Sequence, residues 1–226
     1  LLHGDTRFAP GSTVLEAGCG TGAQTVAVAE RNAGIRITAV DLSAPSLTLA
    51  RERMARAGVG DITFQQADLL ALPFAPGSFD HLLLCFVLEH LADPLEALRR
   101  LRPLLKAGGG ITVIEGDHGS VLMHPESMAA RAAIDCQVVL QQRTGGDANI
   151  GRRLYPLLVE AGFAAVHVSP RMIHVDASRP ELAEGFTRRT FTAMIAGVRE
   201  AALAAGLTTA ATFDDGLQAL HRTTEA

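Results

Sequence analysis

The stretch TVLEAGCGTG, residues 13–22, decides the fold class of this chain. It opens with an apolar run of strand length and closes with glycines at positions 18, 20 and 22. Glycine lets a strand turn sharply into a helix, and it leaves no side chain between the backbone and a ligand at the helix N-terminus. The stretch therefore predicts a strand, a tight loop and a helix that together approach a nucleotide-like cofactor.

The next hundred residues continue this alternation of strand and helix. We predict strands at residues 13–17, 35–40, 62–66, 79–87 and 111–115, and helices at 22–31, 43–58 and 93–106. Strands that alternate with helices form a parallel sheet that is covered by helices on both faces. The sequence thus indicates an α/β fold, a Rossmann-like, doubly wound and mostly parallel sheet.

Helical patterns predominate after residue 117. We predict helices at residues 125–142, 151–161, 180–205 and 213–224, and a short strand at 165–168. We expect a single domain over residues 1–226, with a cofactor-binding core at 12–115. In this interpretation the C-terminal half is a helical cap, in which residues 117–150 and 171–226 either cover a substrate or pair two subunits of a homodimer.

Composition excludes several classes of protein. The chain has 226 residues, of which 48% are hydrophobic, so it can bury a full core. Its net charge of −4 and its lack of a basic run argue against a nucleic-acid partner. Its apolar runs are shorter than the ~20 residues of a membrane helix, and no signal peptide opens the chain, so we expect a cytoplasmic protein without membrane contact.

The termini and the cysteines add two expectations. The chain begins with Leu1 rather than methionine, which suggests a piece of a longer protein. Cys19, Cys85 and Cys136 are odd in number and lack paired spacing, so we expect neither a disulfide framework nor a metal site.

Four sequence features follow one another along the first half of the chain. They are residues 16–22, Asp41, Asp68, and the segment FVLEHLADP at 86–94 that leads to LKAGG at 105–109. In this order they resemble the class I S-adenosylmethionine-dependent methyltransferases, most closely the ubiquinone/menaquinone-type enzymes that act on small molecules. The resemblance covers about half the chain. It implies S-adenosyl-L-methionine as cofactor and methyl transfer to an O, N or C atom of a small molecule.

The resemblance also implies a set of cofactor-binding residues. The carboxylate oxygens of Asp41 would accept from the two ribose hydroxyls, and Asp68 would accept from the adenine amine, with leucines against the ring faces. A backbone carbonyl near Cys85 would receive the ammonium of the methionine portion. The full set is Glu16, Gly18, Gly20, Gly22, Asp41, Leu42, Asp68, Leu69, Cys85 and His90.

Ordinary structural roles remain open for several of these residues. Asp41 is also explained as a helix-capping acid, Asp68 as a solvated loop acid and Cys85 as core. His90 either touches the cofactor or substrate, or forms a structural hydrogen bond with nearby backbone.

His118 is the candidate catalytic base. It lies in the segment EGDHG, residues 115–119, just after the fifth predicted strand, and Asp117 is placed to orient it. An imidazole near its ordinary pKa of ~6.5 accepts a proton from an acceptor hydroxyl or ammonium. A loop histidine between glycines is also explained as exposed or as a cap of the next helix.

Two other functions fit part of the pattern. An acid about 20 residues beyond a glycine loop also suits the ribose of NAD, which would make the chain an NAD(P)-dependent oxidoreductase. The glycine spacing and Asp68 argue against this alternative. In a second alternative the chain is a cofactor-binding protein of methyltransferase fold that does not transfer methyl groups.

Overall fold

The computed structural model describes residues 2–225, which form two compact units. The first unit holds the chain up to Glu115 together with Arg153–Ser169, and the second holds Gly116–Arg152 and the chain from Pro170 onward. The strands are β1 (Thr13–Ala17), β2 (Arg36–Asp41), β3 (Ile62–Gln66), β4 (Phe79–Cys85) and β5 (Leu105–Ile114). The helices are α1 (Ala23–Arg31), α2 (Ala44–Ala57), α3 (Pro94–Leu101), α4 (Met128–Arg143), α5 (Leu154–Glu160), α6 (Pro180–Leu182), α7 (Ala193–Gly197), α8 (Arg199–Ala204) and α9 (Ala210–Arg222), with a π-helical stretch at Ala183–Thr192.

The first unit is built on one parallel sheet with the strand order β3-β2-β1-β4-β5. This order confirms the Rossmann-like α/β fold class. The direction in which strands are added reverses between β1 and β4. In open α/β sheets ligands bind at such a point, in the crevice beyond the carboxyl ends of the strands.

The sheet is anchored by apolar side chains on both of its faces. Leu82, Leu83 and Leu84 in β4 are fully buried, as expected of a central strand covered on both sides. Val14 from β1 and Leu47 from α2 belong to the same core cluster as Leu83. This core holds the strands in place, and the carboxyl ends of these strands form the edge of the crevice.

Helix α2 and the start of α3 lie within one residue of their predicted bounds. The Ser43 hydroxyl accepts a hydrogen bond from the Ser46 backbone N–H at 3.2 Å and so caps α2. Gly58 ends that helix in the left-handed region with φ 65°. The Asp93 carboxylate caps α3 by accepting from the Glu96 N–H at 2.9 Å.

Two predicted strand boundaries are wrong. Helix α3 ends at Leu101 and β5 begins at Leu105 rather than at 111. Pro103 has no N–H to continue the helix. Leu105 then pairs with Phe79, and Gly108 and Gly109 lie inside β5, where its pairing with β4 is irregular. Strand β4 ends at Cys85 rather than at 87 because Phe86 turns into the left-handed region, with φ 56°.

The short strand predicted at 165–168 is not formed. Within residues 2–225 this segment pairs with no strand, and Ala165 has a φ of 52°, which breaks an extended run. In the described part of the chain, β5 is therefore an edge strand of the sheet.

The second unit is helical. Helices α4 and α9 pack closely around a core that includes Ile134, Ile195 and Phe213. Gly216 allows this approach, because a Cβ at that position would lie 2.5 Å from the Ala129 carbonyl oxygen. Across the described residues no helix is both long and apolar enough to cross a membrane.

Candidate functional site

The glycine loop after β1 is held by the neighbouring strand β2. The backbone N–H groups of Gly18 and Cys19 both donate to the carbonyl oxygen of Val40, at 2.9 Å each. Gly18, Gly20 and Gly22 have φ values of 82°, 52° and 76°, the left-handed region in which glycine is favoured. The loop therefore requires the residue type that the sequence supplies at these three positions.

The three glycines meet different surroundings. A Cβ on Gly18 would lie 2.6 Å from Cγ2 of Val87, and one on Gly22 would lie 3.0 Å from the Cβ of Ala50. A Cβ on Gly20 would have no neighbour within 4 Å. Packing within the protein thus explains Gly18 and Gly22, whereas the space beside Gly20 is open to a ligand.

Asp41 lies at the end of β2 and is bound to the same loop. Its Oδ2 accepts from the Gly20 N–H at 2.7 Å, and its Oδ1 accepts from the Ser43 N–H at 2.8 Å. A carboxylate oxygen can accept two hydrogen bonds, and each oxygen of Asp41 accepts one here, so both oxygens retain a lone pair for a ligand. The cap of α2 is Ser43, so Asp41 is not the N-cap that we considered as its alternative role.

The predicted adenine-binding residues lie at the ends of β2 and β3. Asp68 is exposed, and its Oδ1 accepts from the Leu70 N–H at 2.9 Å. Leu42 directly follows Asp41 and is 68% exposed, while Leu69 is half-buried. Exposure leaves the Leu42 and Asp68 side chains accessible, and their contact with adenine stays a prediction.

Glu16 is a buried acid at the carboxyl end of β1. It is 2% exposed, and burial raises the pKa of its carboxyl group to about 7. The nearby Thr25 hydroxyl partly offsets this rise in pKa, but Glu16 Oε2 makes no hydrogen bond of good geometry in the described part of the chain. Buried polar atoms are normally hydrogen-bonded, so this oxygen at the carboxyl end of β1 indicates that a polar group of a ligand binds in the crevice.

The thiol of Cys85, at the end of β4, lies close to two acids. Its pKa is raised first by burial and then by the charges of Glu16 and Glu115. Cys85 is 8% exposed and belongs to the apolar core cluster, as in the ordinary role that we kept open for it.

Glu115, which the sequence analysis did not select, holds the turn after β4. Its Oε1 accepts from the N–H groups of Val87 and Leu88 at 3.0 and 2.8 Å, and its Oε2 accepts from the Glu89 N–H at 3.3 Å. Burial raises the pKa of Glu115 to about 7. An acid directly after a buried strand was the only available signal for this role.

His90 ends the same turn. Its N–H donates to the Val87 carbonyl oxygen at 3.0 Å, and its largely exposed ring lies 3.5 Å from the Glu89 carboxylate, Nε2 to Oε1. The backbone of His90 thus forms a structural hydrogen bond, and contact of its ring with the cofactor stays a prediction.

His118 lies in the second unit, beside a buried amide. Its Nδ1 is 2.8 Å from Oε1 of Gln137, and its ring makes an edge contact with Phe191 at 6.1 Å between centroids. The Asp117 carboxylate forms a two-pronged ion pair with the Arg152 guanidinium, with contacts of 2.9 and 2.5 Å. Gln137 therefore takes the position beside His118 that we expected for Asp117.

Part of the first unit is similar to a known protein family. The family described as "Methyltransferase domain" matches residues 15–113. An uncharacterised 37.1 kDa protein from a Streptomyces fradiae transposon is 32% identical over 192 residues, which are 83% of this chain and 54% of that protein. A demethylmenaquinone methyltransferase of Thermus thermophilus is 34% identical over 102 residues, 45% of this chain and 46% of that enzyme. The chain thus spans about half the length of these curated relatives.

A solved structure shares the fold. The crystal structure of an S-adenosylmethionine-dependent methyltransferase from Aquifex aeolicus superposes with a TM-score of 0.52 at 17% identity. The match covers 68% of this chain and 73% of that enzyme.

Proposed function

We propose that this chain carries a methyltransferase domain of the class I S-adenosylmethionine-dependent family and that it methylates an O, N or C atom of a small molecule. The observation that carries the proposal is the bond between Asp41 and the N–H of Gly20. This hydrogen bond joins the last residue of β2 to Gly20. Among the three loop glycines, Gly20 alone has space for an added Cβ, with no neighbour within 4 Å. A diol-binding carboxylate and an open main-chain surface are thereby combined at one crevice.

The residues of this crevice suit S-adenosylmethionine. Asp41 would hold the ribose hydroxyls, the loop at Gly20 would receive the adjacent part of the nucleoside, and Leu42 would cover one face of the adenine. The buried Oε2 of Glu16 offers an acceptor for a cationic or hydroxyl group. The cofactor supplies a methyl group that is bonded to a positively charged sulfur. When the methyl group is transferred, a neutral thioether is the leaving group.

Alignment is the main contribution of the protein in this proposal. A sulfonium needs little acid or base assistance, so rate enhancement comes from fixing the acceptor in line at near-contact distance. Strands β1, β2 and β4 form a rigid base for this purpose, since their apolar residues are buried on both faces of the sheet. A preorganised site that excludes bulk water assists the dispersal of charge in the transition state.

We assign the role of general base to His118 for acceptors that must lose a proton. The Nε2 of Gln137 donates to Oε1 of Gln141 at 2.5 Å, so the oxygen of Gln137 faces His118. An oxygen at Nδ1 selects the tautomer with the hydrogen on Nδ1 and the lone pair on Nε2. Gln137 thus prepares the ring to accept a proton.

A small acceptor fits the charge of the chain. The net charge of −4 and the absence of a basic run favour an acceptor that is not a polyanion. In this proposal the helices at residues 117–150 and 171–226 supply the acceptor-facing side chains or contacts with a second copy.

The test is a methyl-transfer assay with isotopically labelled S-adenosylmethionine and a panel of phenols, amines and quinols. Labelled product together with S-adenosylhomocysteine supports the proposal. Calorimetric titrations with S-adenosylhomocysteine and with NAD discriminate the alternatives. Binding of NAD alone would contradict methyl transfer, and binding of S-adenosylhomocysteine without turnover on any acceptor would favour a role without methyl transfer.

A further inference from the structure

We propose that Glu115 is a positioning residue for the cofactor: its carboxylate fixes the turn at residues 86–89, which bounds the crevice beside the glycine loop. This inference rests on the proposed function, because it concerns the affinity of the same crevice. It assigns a role to a residue at the end of β5 that need not touch the ligand itself.

The end of β5 binds the turn along its whole length, through Ile114 and the Glu115 carboxylate. Phe86 donates its N–H to the carbonyl oxygen of Ile114 at 2.8 Å. The next three N–H groups, of residues 87–89, all point to the two oxygens of Glu115, at 3.0, 2.8 and 3.3 Å. Hydrogen bonds to an ionised acceptor are stronger than those between neutral groups, so one side chain determines the path of the chain after β4.

The turn needs such support because it starts in an unfavourable conformation. Phe86 has a φ of 56°, which is uncommon for a bulky residue. Non-glycine residues in this region are strained and persist only where their surroundings fix them. The bonds from Ile114 and Glu115 are the fixing contacts on the β5 side.

The turn contacts the loop that we assign to the cofactor. The methyl groups of Val87 lie 2.6 and 3.0 Å from the position that a Cβ on Gly18 would occupy, and Leu88 beside it is fully buried. A shift of the turn would therefore change the space next to Gly18, two residues before the N–H that binds Asp41. Glu115 thus acts on the crevice through Val87.

The test is calorimetric titration with S-adenosylhomocysteine at about pH 8, above the raised pKa of Glu115. Glu115→Ala removes the acceptors of all three N–H groups, and we expect the affinity to fall about tenfold or more. Glu115→Gln keeps one oxygen as acceptor for the N–H groups of Val87 and Leu88, but it presents an amide N–H₂ group to the Glu89 N–H. The affinity of this variant for S-adenosylhomocysteine should therefore lie between those of the wild type and Glu115→Ala.

Asp80→Asn is the matched control. The Asp80 carboxylate also accepts a backbone N–H, from Thr13 at 2.8 Å, but near the start of β4. We expect its affinity for S-adenosylhomocysteine to stay within about twofold of the wild type, because it lies at the other end of the strand. Circular dichroism identifies the variants that are folded at the temperature of titration, and Glu115→Gln with Asp80→Asn suffices if Glu115→Ala does not fold.

The outcomes separate this inference from the proposed function. A wild-type protein that binds no S-adenosylhomocysteine would contradict the proposed function itself. Wild-type binding with an equal affinity in folded Glu115 variants would overturn the positioning role. An equal loss of affinity in Asp80→Asn would also overturn it, because the effect would then reflect a general loosening of the sheet.

Discussion

The side chain of Val87 occupies the space next to Gly18, with its Cγ2 at 2.6 Å from the position of a Cβ on that glycine. The turn after β4 and the loop after β1 are therefore in direct contact where the strand order reverses. A side chain at position 18 would separate them. Gly20, two residues later, has no such neighbour.

Substitutions at Gly18 and Gly20 should therefore have different effects. Gly18→Ala introduces a methyl group against Val87 in a left-handed conformation, and we expect it to lower the free energy of unfolding by about 2–4 kcal/mol. Gly20→Ala meets open space, so its cost should be only about 1 kcal/mol, from the backbone conformation. Urea unfolding measures both values.

Gly20→Ala should instead weaken binding. Its methyl group enters the space that we assign to the cofactor, and we expect the affinity for S-adenosylhomocysteine to fall by about tenfold in calorimetry. An affinity equal to that of the wild type would remove Gly20 from the proposed site.

Asp41 provides a further prediction about binding. Asp41→Ala removes two acceptor oxygens and leaves the N–H groups of Gly20 and Ser43 without that partner, so the affinity for S-adenosylhomocysteine should fall at least tenfold, or about 1.4 kcal/mol. Asp214→Asn is a suitable control, because that carboxylate pairs with Arg199 in the second unit. Equal affinities in the Asp41 variant and this control would contradict the assignment.

Glu16 provides a prediction about pH. Burial raises the pKa of Glu16 from 4.5 to about 7, so between these values the folded protein binds more protons at this group than the unfolded chain. The stability contributed by the protonated group is present below pH 4.5 and is lost as the pH rises through 7. The loss amounts to roughly 3 kcal/mol, because one pKa unit corresponds to about 1.4 kcal/mol.

The variant Glu16→Gln tests this effect. It carries no charge at any pH, so its free energy of unfolding should fall less than that of the wild type between pH 5 and pH 8. Glu115 has the same direction of shift and remains in both proteins, so the difference between the two curves isolates Glu16. Parallel curves would show that Glu16 does not titrate in this range.

The catalytic assignment rests on His118. With an acceptor that must lose a proton, His118→Ala should lower kcat by about 100-fold or more and leave the affinity for S-adenosylhomocysteine unchanged. Gln137→Met removes the oxygen beside Nδ1 at nearly constant volume and should lower kcat by a smaller factor. Turnover at the wild-type rate in His118→Ala would exclude this histidine as the base.

Local signals in the sequence predicted most of the first unit. Glycine, Ser43 and Asp93 mark turns and caps through their own backbone and side chains, so the start of α2 and the start of α3 follow from neighbouring residues alone. The buried run of β4 is equally evident from its composition. These features depend on contacts between residues close in the chain.

Features that depend on distant partners were not predictable in this way. The early start of β5 depends on pairing with Phe79, and the short strand expected at 165–168 had no partner. Glu115 acquires its role from N–H groups 26 to 28 residues away, and Gln137 lies 19 residues beyond His118. These relationships join residues that are far apart in the chain, so only the folded structure brings them together.

The most direct test of the central claim is a crystal structure of the protein with S-adenosylhomocysteine. We predict that the ribose hydroxyls lie about 3 Å from the carboxylate oxygens of Asp41, with the ligand against the backbone at Gly20. A structure grown at a saturating concentration in which the ligand lies elsewhere, or in which this crevice contains none, would contradict the account.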